Sequence, residues 1–585
     1  MSATIRDQGI RDTIGRTGLD RTLFVEAGAG TGKTSQLVDR IASLVLERGV
    51  PLSSIAAITF TEAAAAELKA RIRVRFERDA EDAAARGDSV VLQRCRDAIA
   101  AADMAAISTL HGFASRLLGE FSVEAGLPPR VRVLDEVSSQ LAHEQRWERF
   151  VDDLYEDPAN EEVLVRAALV DVGFEPRYQG QATLKDVAAE LAQNWDRIEP
   201  LAAEEPPPLS PIDFGPVDEA ITRVLDLPGS CDDVDDKFYV HLCERVLPSM
   251  QAVLAMEDPN RKLHALSRVK WTTGRGGRKD AWGGDVEAAK QLVRDARDAA
   301  RAVVHDVADQ VLRHLLVHLA REVWDAAQAR RADGGLEFHD LLVLAREMLR
   351  RSPRARSVLH ERYTHLLLDE FQDTDPIQIE LAMLIAASVQ GDPPDSWQEL
   401  EVEQGRLFFV GDPKQSIYRF RRADIRLFLE ARRRFESGVL QLVTNFRTVE
   451  PILTWVNALF SDVMDEEREG AQPRYEPLAA HRTADSGADH RPVLLGGPHE
   501  DPKVKADQLR EDEARSVAAA IADIRDHPER WPVGDGDGGW RPARLADVAI
   551  LLPARTSLPY LRAELEAADL PYRLATGTLV YDTQE

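Results

Sequence analysis

A chain of 585 residues is too long for a single hydrophobic core and implies roughly three or four domains. With 44% hydrophobic and 30% charged residues, no apolar run of the roughly 18 residues a membrane span needs, and no apolar core in the opening MSATIRDQGIRD, it reads as a globular cytoplasmic protein with no membrane partner. A net charge of −27 argues against a nonspecific nucleic-acid coat while leaving room for a narrow basic channel, and three cysteines (Cys95, Cys231, Cys243) lack metal or disulfide-framework spacing.

In chain order, the apolar run RTLFVEA (Arg21 to Ala27) predicts a strand, followed by a glycine-rich loop and a periodic helix, SQLVDRIASLVLERG, ending at Gly49. SIAAITFT (Ser54 to Thr61) reads as a second buried strand before the alanine-rich helix EAAAAELKARIRVRFERDAEDAAARG, and MAAISTLHGFASRLLGEF repeats strand then helix. Such alternation predicts a parallel α/β sheet. From about Val131 to Gly335 the pattern is mostly helical. It is broken by EEPPPLSP (Glu204 to Pro211), a stiff linker, and KWTTGRGGRKDAWGG (Lys270 to Gly284), a flexible basic loop with two tryptophans. The α/β pattern resumes with THLLLDEFQDT and RLFFVGDPKQS; VGDGDGGW (Val533 to Trp540) marks a loop, and LADVAILLPARTS then LPYLRAELEAADLPYRLAT reads as strand then helix.

The chemistry begins at VEAGAGTGKTSQLV. Backbone N–H groups from Gly28 to Gly32 can converge on a β-phosphate, and the following helix adds its positive end. Lys33 can reach the β- and γ-oxygens, and the Thr34 hydroxyl can ligate magnesium. The strict phosphate-loop pattern has glycine where this chain has Ala27. Such a loop needs an acid on a neighbouring strand, and LLLDE supplies one: Leu366 to Leu368 form the strand, Asp369 holds magnesium and Glu370 activates water.

Six strings in order, AGAGTGKT, ITFTEAAAAELKARI, ISTLHGFA, LLLDEFQDTDPIQ, FFVGDPKQSIYRFRRADI and LVTNFR, resemble the motifs of UvrD/Rep-type superfamily 1 DNA helicases, most closely the RecB/AddA-like branch. Ala27 is the form this family uses. The resemblance implies a RecA-like, P-loop parallel-sheet domain over residues 1–130 and 336–435. It further implies a large helical insertion over 131–335 and the start of a second RecA-like domain, cut short, over 436–585. ATP would lie on Ala27, Gly28, Ala29, Gly30, Thr31, Gly32, Lys33 and Thr34, with Gln8 reading adenine and Mg2+ on Thr34 and Asp369. Glu370, Gln415 as γ-phosphate sensor and Arg447 as arginine finger would be catalytic.

The DNA side would comprise Thr59, Phe60 and Thr61 at a strand end, Thr109 and His111, and Tyr418, Phe420 and Arg421 just beyond Gln415. The family usually has tryptophan at the position of Phe420, and YRFRRADIR forms a basic patch in an acidic chain. The function implied is an ATP-dependent 3′–5′ helicase or translocase in DNA repair or recombination, acting on single-stranded or tailed duplex DNA beside a second helicase–nuclease subunit. Two later family motifs, of HxxKGLE and YVAxTRA type, do not occur in the 585 residues. An amino-terminal portion or subunit with weak activity in isolation is therefore expected, and the alternative is an ATP- and DNA-binding subunit that is not a motor. An unrelated P-loop kinase or transporter ATPase would have no use for an aromatic-basic element beside its γ-phosphate sensor.

Overall fold

Five apolar strand segments, each buried on both faces, build the centre of the molecule. The computed structural model describes residues 5–176, 180–389, 391–418, 423–468, 470–482, 484, 486–497, 499, 503–535 and 539–574. The strands are β1 (Leu23–Ala27), β2 (Ile55–Thr59), β3 (Ala106–Thr109), β4 (His365–Leu368), β5 (Leu407–Gly411) and, at one edge, β6 (Val439–Leu442). They form one six-stranded sheet in the order β3-β2-β4-β5-β1-β6, every neighbouring pair parallel. A parallel sheet has helices on both faces, so its strands are continuous apolar runs, as IAAIT in β2 and LFFVG in β5 are. The expected mixed α/β architecture with a parallel central sheet is present.

Chain order sets the register. Val25 of β1 lies between Val410 of β5 and Leu440 of β6, and Ile58 of β2 lies between Leu368 and Ser108. The loops after β1, β2, β3, β4 and β5 therefore leave from one edge, the carboxyl ends of the strands, where open α/β sheets bind ligands. Beneath that edge, Phe24, Phe371, Phe409 and Phe428 form an aromatic cluster, with the Phe24 centroid 5.7, 5.5 and 4.9 Å from the other three. Phe371 thereby anchors the turn after β4. Arg40, 1% exposed, donates to the carbonyls of Ile14, Gly18, Leu19 and Arg21 and fastens the amino-terminal segment to the helix Lys33–Leu46.

After β6 the chain leaves the sheet at Val443, and β7 (Thr444–Val449) pairs in parallel with β8 (Ala479–Arg482). Further on, the helices Ala506–Asp526 and Leu558–Ala567 share a small core that includes Ala514, Ile521, Leu561 and Leu565. The strand expected within LADVAILLPARTS is not formed: 548–552 have no strand partner and Leu551 is 92% exposed. An apolar run becomes a strand only where a neighbour satisfies its backbone, and none among the described residues does.

Residues 1–113 and 356–585 form one compact unit, and 114–355 form another. The second unit is built around the 48-residue helix Val286–Asp333. Its loop 270–284 is more constrained than its composition suggests. Trp271 and Trp282 are buried, and their indole N–H groups donate to Ser249 Oγ (2.9 Å) and Asp236 Oδ1 (3.0 Å). Near the end of the long helix, Arg330 makes a bidentate pair with Asp340 at 2.7 and 2.8 Å, the two side chains 9% and 2% exposed. Removing one partner of such a pair leaves an unpaired buried charge, so Asp340→Ala should destabilise this unit by about 3–5 kcal/mol. Chemical denaturation followed by tryptophan fluorescence checks this.

Candidate functional site

The loop between β1 and the helix Lys33–Leu46 has its shape fixed by two left-handed glycines, Gly30 (φ 70°) and Gly32 (φ 84°). The Thr31 hydroxyl donates to the Gly28 carbonyl at 2.7 Å and closes the turn from inside. The strand β7 lies against it: Asn445 Nδ2 donates to the Ala29 carbonyl at 2.6 Å and the Phe446 amide to the Gly30 carbonyl at 2.8 Å. With carbonyls engaged on that side, the loop's backbone can present its amides on the other, next to the positive helix end. Ala27 closes β1 and is buried, and Thr34 is half-buried in the first helical turn.

Lys33 and Glu370, 337 residues apart, meet in an ion pair of 2.7 Å. Glu370 stands in the left-handed region (φ 49°, ψ 46°), a conformation that costs a non-glycine residue on the order of 1–3 kcal/mol and persists only where its surroundings impose it. The Phe371 anchor below and the Lys33 and Gln372 contacts above do so; Gln372 Nε2 donates to Glu370 Oε2 at 2.9 Å. Asp369 is buried at the end of β4. Burial, then the Glu370 charge, pushes its carboxyl up to about 6, against the pull of Lys33. Asp373 is raised to about 6 by the same two causes. Three carboxylates facing one lysine leave an excess of negative charge that a cation would relieve.

Magnesium fits this donor set. Thr34 and Asp369 offer hard oxygens, and Mg2+ is commonly held by one or two protein oxygens with phosphates and water supplying the rest. Among the described residues no group of three or more His, Cys, Asp or Glu could hold a metal ion.

Gln415 lies in the turn after β5, where its Nε2 donates to the buried Asp412 carboxylate at 2.7 Å. Arg447 follows Asn445 and Phe446 on β7; its Cβ is 2.8 Å from where a Cβ on Gly30 would be, and its exposed side chain makes no ion pair among the described residues. Gln8 is exposed, donates to Asp12 at 2.8 Å, and lines a cleft of about 560 Å³ together with Arg11, Gly32, Ser35 and Phe446.

On the neighbouring loops, the rings of Phe60 and Tyr418 lie 4.8 Å apart at 37°. Thr59 is buried, its hydroxyl without a hydrogen-bond partner among the described residues. Thr61 caps the helix Glu62–Arg86 by accepting from the Ala64 amide at 3.1 Å. Thr109 pairs with Thr59 across β2 and β3 and donates to Glu62 at 2.6 Å, and His111 is half-buried in the next helical turn. Phe420 and Arg421 lie outside the described residues.

A family model described as the UvrD/REP helicase N-terminal domain matches residues 12–436, the span that holds these loops. The chain belongs to the UvrD/REP helicases. Similar curated proteins place it in their RecB/AddA-like branch. The AddA-type ATP-dependent helicase/nuclease protein of Geobacillus kaustophilus (strain HTA426) is 29% identical, covering 94% of this chain and 47% of that protein. Its counterpart in Listeria monocytogenes serotype 4b (strain F2365) is 24% identical over 96% and 48%. That of Exiguobacterium sibiricum is 30% identical over 76% and 39%. The chain spans about half the length of the first two relatives.

Several residues were not foreseen from sequence: Asp7, Arg11, Gln372, Asp373 and Phe446. Asp7 and Arg11, four apart on one helical turn, are buried and paired at 2.8 Å. The second oxygen of Asp7 accepts from the Val443 and Thr444 amides, both at 2.9 Å, while Arg11 lies over the Phe446 ring at 4.8 Å. The chain therefore clamps its amino-terminal helix onto the exit from β6 and forms one wall of the cleft. Burial alone would raise the Asp7 carboxyl, but hydrogen bonds from Arg11 and the two amides outweigh it and hold it below its ordinary 3.8. A depressed carboxylate stabilises the fold above that ordinary value and loses its effect as pH falls through the lowered one. Asp7→Asn should therefore cost about 1.5–3 kcal/mol. The drop in melting midpoint should be the same at pH 5 and pH 8, shrinking only below 3.8; thermal scans across that range check it.

Proposed function

We propose that this chain is the ATP-binding part of a DNA motor, a 3′–5′ helicase or translocase acting on single-stranded or tailed duplex DNA in repair or recombination. A second helicase–nuclease subunit is its expected partner, as the names of its relatives suggest. The observation that carries this reading is one sheet edge on which a phosphate loop, the acids of β4, the arginine-bearing strand β7 and an aromatic pair all meet. The same reading takes 1–130 with 336–435 as the first motor domain, 131–335 as an inserted helical subdomain and 436–585 as the beginning of a second. The division into compact units near 113 and 356 supports the insertion.

ATP is the substrate. The loop amides and Lys33 bind its phosphates, Gln8 and the Arg11–Phe446 wall enclose its base, and Thr34 with Asp369 would hold Mg2+, whose role is to neutralise phosphate charge. Once phosphate oxygens compete for Lys33, the Glu370 carboxylate is released from its ion pair and can orient water and accept its proton. Arg447, on the strand docked against Gly30, brings positive charge to the transferred group, and Gln415 reports its presence to the turn leading to Tyr418.

Lys33→Ala should abolish binding of a fluorescent ATP analogue with magnesium, whereas Glu370→Gln should bind it normally and hydrolyse ATP about 10²–10⁴ times more slowly in single-turnover assays. An analogue affinity for Lys33→Ala equal to wild type would refute the assignment.

On the DNA side, affinity for single strands should fall with rising salt and depend little on base sequence. Phe60→Ala and Tyr418→Ala should each weaken it by about 1–3 kcal/mol, read by fluorescence anisotropy with oligonucleotides of contrasting composition. Unchanged affinity in both would make the two rings packing residues.

A further inference from the structure

Gln372 is 2% exposed and its amide is fully committed in one orientation. Its Nε2 donates to Glu370 Oε2 at 2.9 Å and to Asp373 Oδ2 at 3.1 Å, and its Oε1 accepts the Asp412 amide at 2.8 Å. The orientation is dictated by chemistry, because a flipped amide would set its oxygen against two carboxylates and its N–H₂ against a backbone N–H. The space is equally restricted: a Cβ on Gly411 would come within 2.6 Å of Gln372 Oε1.

Two partners of this amide belong to different tasks. Glu370 is the group placed to activate water. Asp412 opens the turn after β5, and its carboxylate holds Gln415 Nε2 at 2.7 Å and Lys414 Nζ at 3.0 Å. The same turn returns to Gln372 a second time, through Ser416 Oγ donating to the Gln372 carbonyl at 3.2 Å. Two residues beyond Ser416 stands Tyr418, whose ring lies against Phe60. A displacement of the 412–418 turn by a strand seated on those rings must therefore move the Asp412 amide, the Ser416 hydroxyl, or both. The first shift acts on the Gln372 side-chain amide directly and the second on its backbone, and either reaches the Glu370 carboxylate through Gln372 Nε2. When phosphate oxygens take Lys33, that amide becomes the side-chain contact that aims Glu370.

We propose that Gln372 is a positioning residue that couples the DNA-facing turn to the hydrolytic carboxylate, so that nucleotide and single-stranded DNA sense each other through its amide. The proposal rests on the motor reading above and names the route by which its two sites communicate. A polar side chain bonded at one end to the hydrolytic carboxylate and at the other to the turn that leads to Tyr418 links the two sites, and coupling of this kind is reciprocal.

The test measures coupling directly and requires no turnover. The dissociation constant for a fluorescent oligo(dT) is measured with and without a nonhydrolysable ATP analogue and magnesium, and that for the analogue with and without oligo(dT). In wild type the two ratios should be equal and on the order of 5–150-fold, as linkage requires. In Gln372→Met, which keeps the length and removes every amide bond, each separate affinity should stay within about twofold of wild type while the ratio falls to about 1. Ser416→Ala, which cuts only the hydroxyl contact and guards against a misfolded Gln372 variant, should lower the ratio part of the way. A wild-type ratio retained in both variants overturns the relay and leaves the motor reading intact. A ratio of about 1 in wild type overturns the motor reading, and the relay with it.

Discussion

Gly30 has no room for a side chain, and the arrangement of the site follows from that. A Cβ there would stand 2.7 Å from Asn445 Nδ2 and 2.8 Å from the Arg447 Cβ, in a backbone conformation that already favours glycine. The close approach lets β7 dock on the phosphate loop through two hydrogen bonds to its carbonyls. Strand and loop are thereby one piece of backbone geometry, although 416 residues separate Ala29 from Asn445. Any group that alters the loop alters the strand that carries Arg447. Any pull on that strand is felt where phosphate would sit. On the motor reading proposed above, such a contact would let strand and loop register the same nucleotide.

The electrostatics of the edge are built to be incomplete. Asp369 and Asp373 are pushed up to about 6 by burial and by the Glu370 charge, and Lys33 offsets only part of this. A buried carboxylate cluster is costly unless something positive meets it. Lys33 cannot serve both the acids and a phosphate chain, so on the proposed reading a triphosphate with its metal would exchange one set of ion pairs for another. The left-handed backbone of Glu370 serves the same arrangement. The conformation is tolerated because Phe371 is packed into the aromatic cluster below it, and it holds the carboxylate off the end of β4 toward the loop.

Much of this could be read in the residues themselves, and the reason is locality. A buried strand, a glycine turn and a helix start are adjacent in sequence, so VEAGAGTGKT and LLLDE declare their geometry without reference to anything distant. The same holds for β2 and β3: the strings SIAAITFT (Ser54 to Thr61) and MAAISTLHGFASRLLGEF predicted strands, and the structure forms them at Ile55–Thr59 and Ala106–Thr109. Partners that the fold brings from afar were not legible. Asp7 and Arg11 lie four residues apart with no motif around them, and only the exit from β6 makes them buried. Nothing in LLLDEFQDT shows that the Gln372 side chain accepts the amide of Asp412, 40 residues on. The two tryptophans of loop 270–284 read as decoration on a flexible basic segment, yet each is sunk into the helical unit with its N–H engaged. Conversely, the apolar string at 548–552 predicted a strand that no neighbour completes, because apolarity specifies burial and only a pairing partner specifies a sheet.

The hydroxyls at the ends of β2 and β3 show how family resemblance and physical role can diverge at a single atom. Thr59, Thr61 and Thr109 stand where the resemblance puts phosphate contacts. Yet Thr61 spends an oxygen lone pair capping a helix, Thr109 gives its proton to Glu62, and the Thr59 hydroxyl is enclosed. Thr61 Oγ1 accepts from the Ala64 amide, so its own proton remains available to a phosphate oxygen, while Thr109 would have to release Glu62 first. The edge therefore ranks its own contacts: the Phe60 and Tyr418 rings and the Thr61 hydroxyl can engage a strand as they stand. Thr59 and Thr109 can do so only after the β2 and β3 ends shift. On the motor reading proposed above, the contacts that need no rearrangement would set the resting affinity for a strand, and those that need it would be switched from the loop edge beside them.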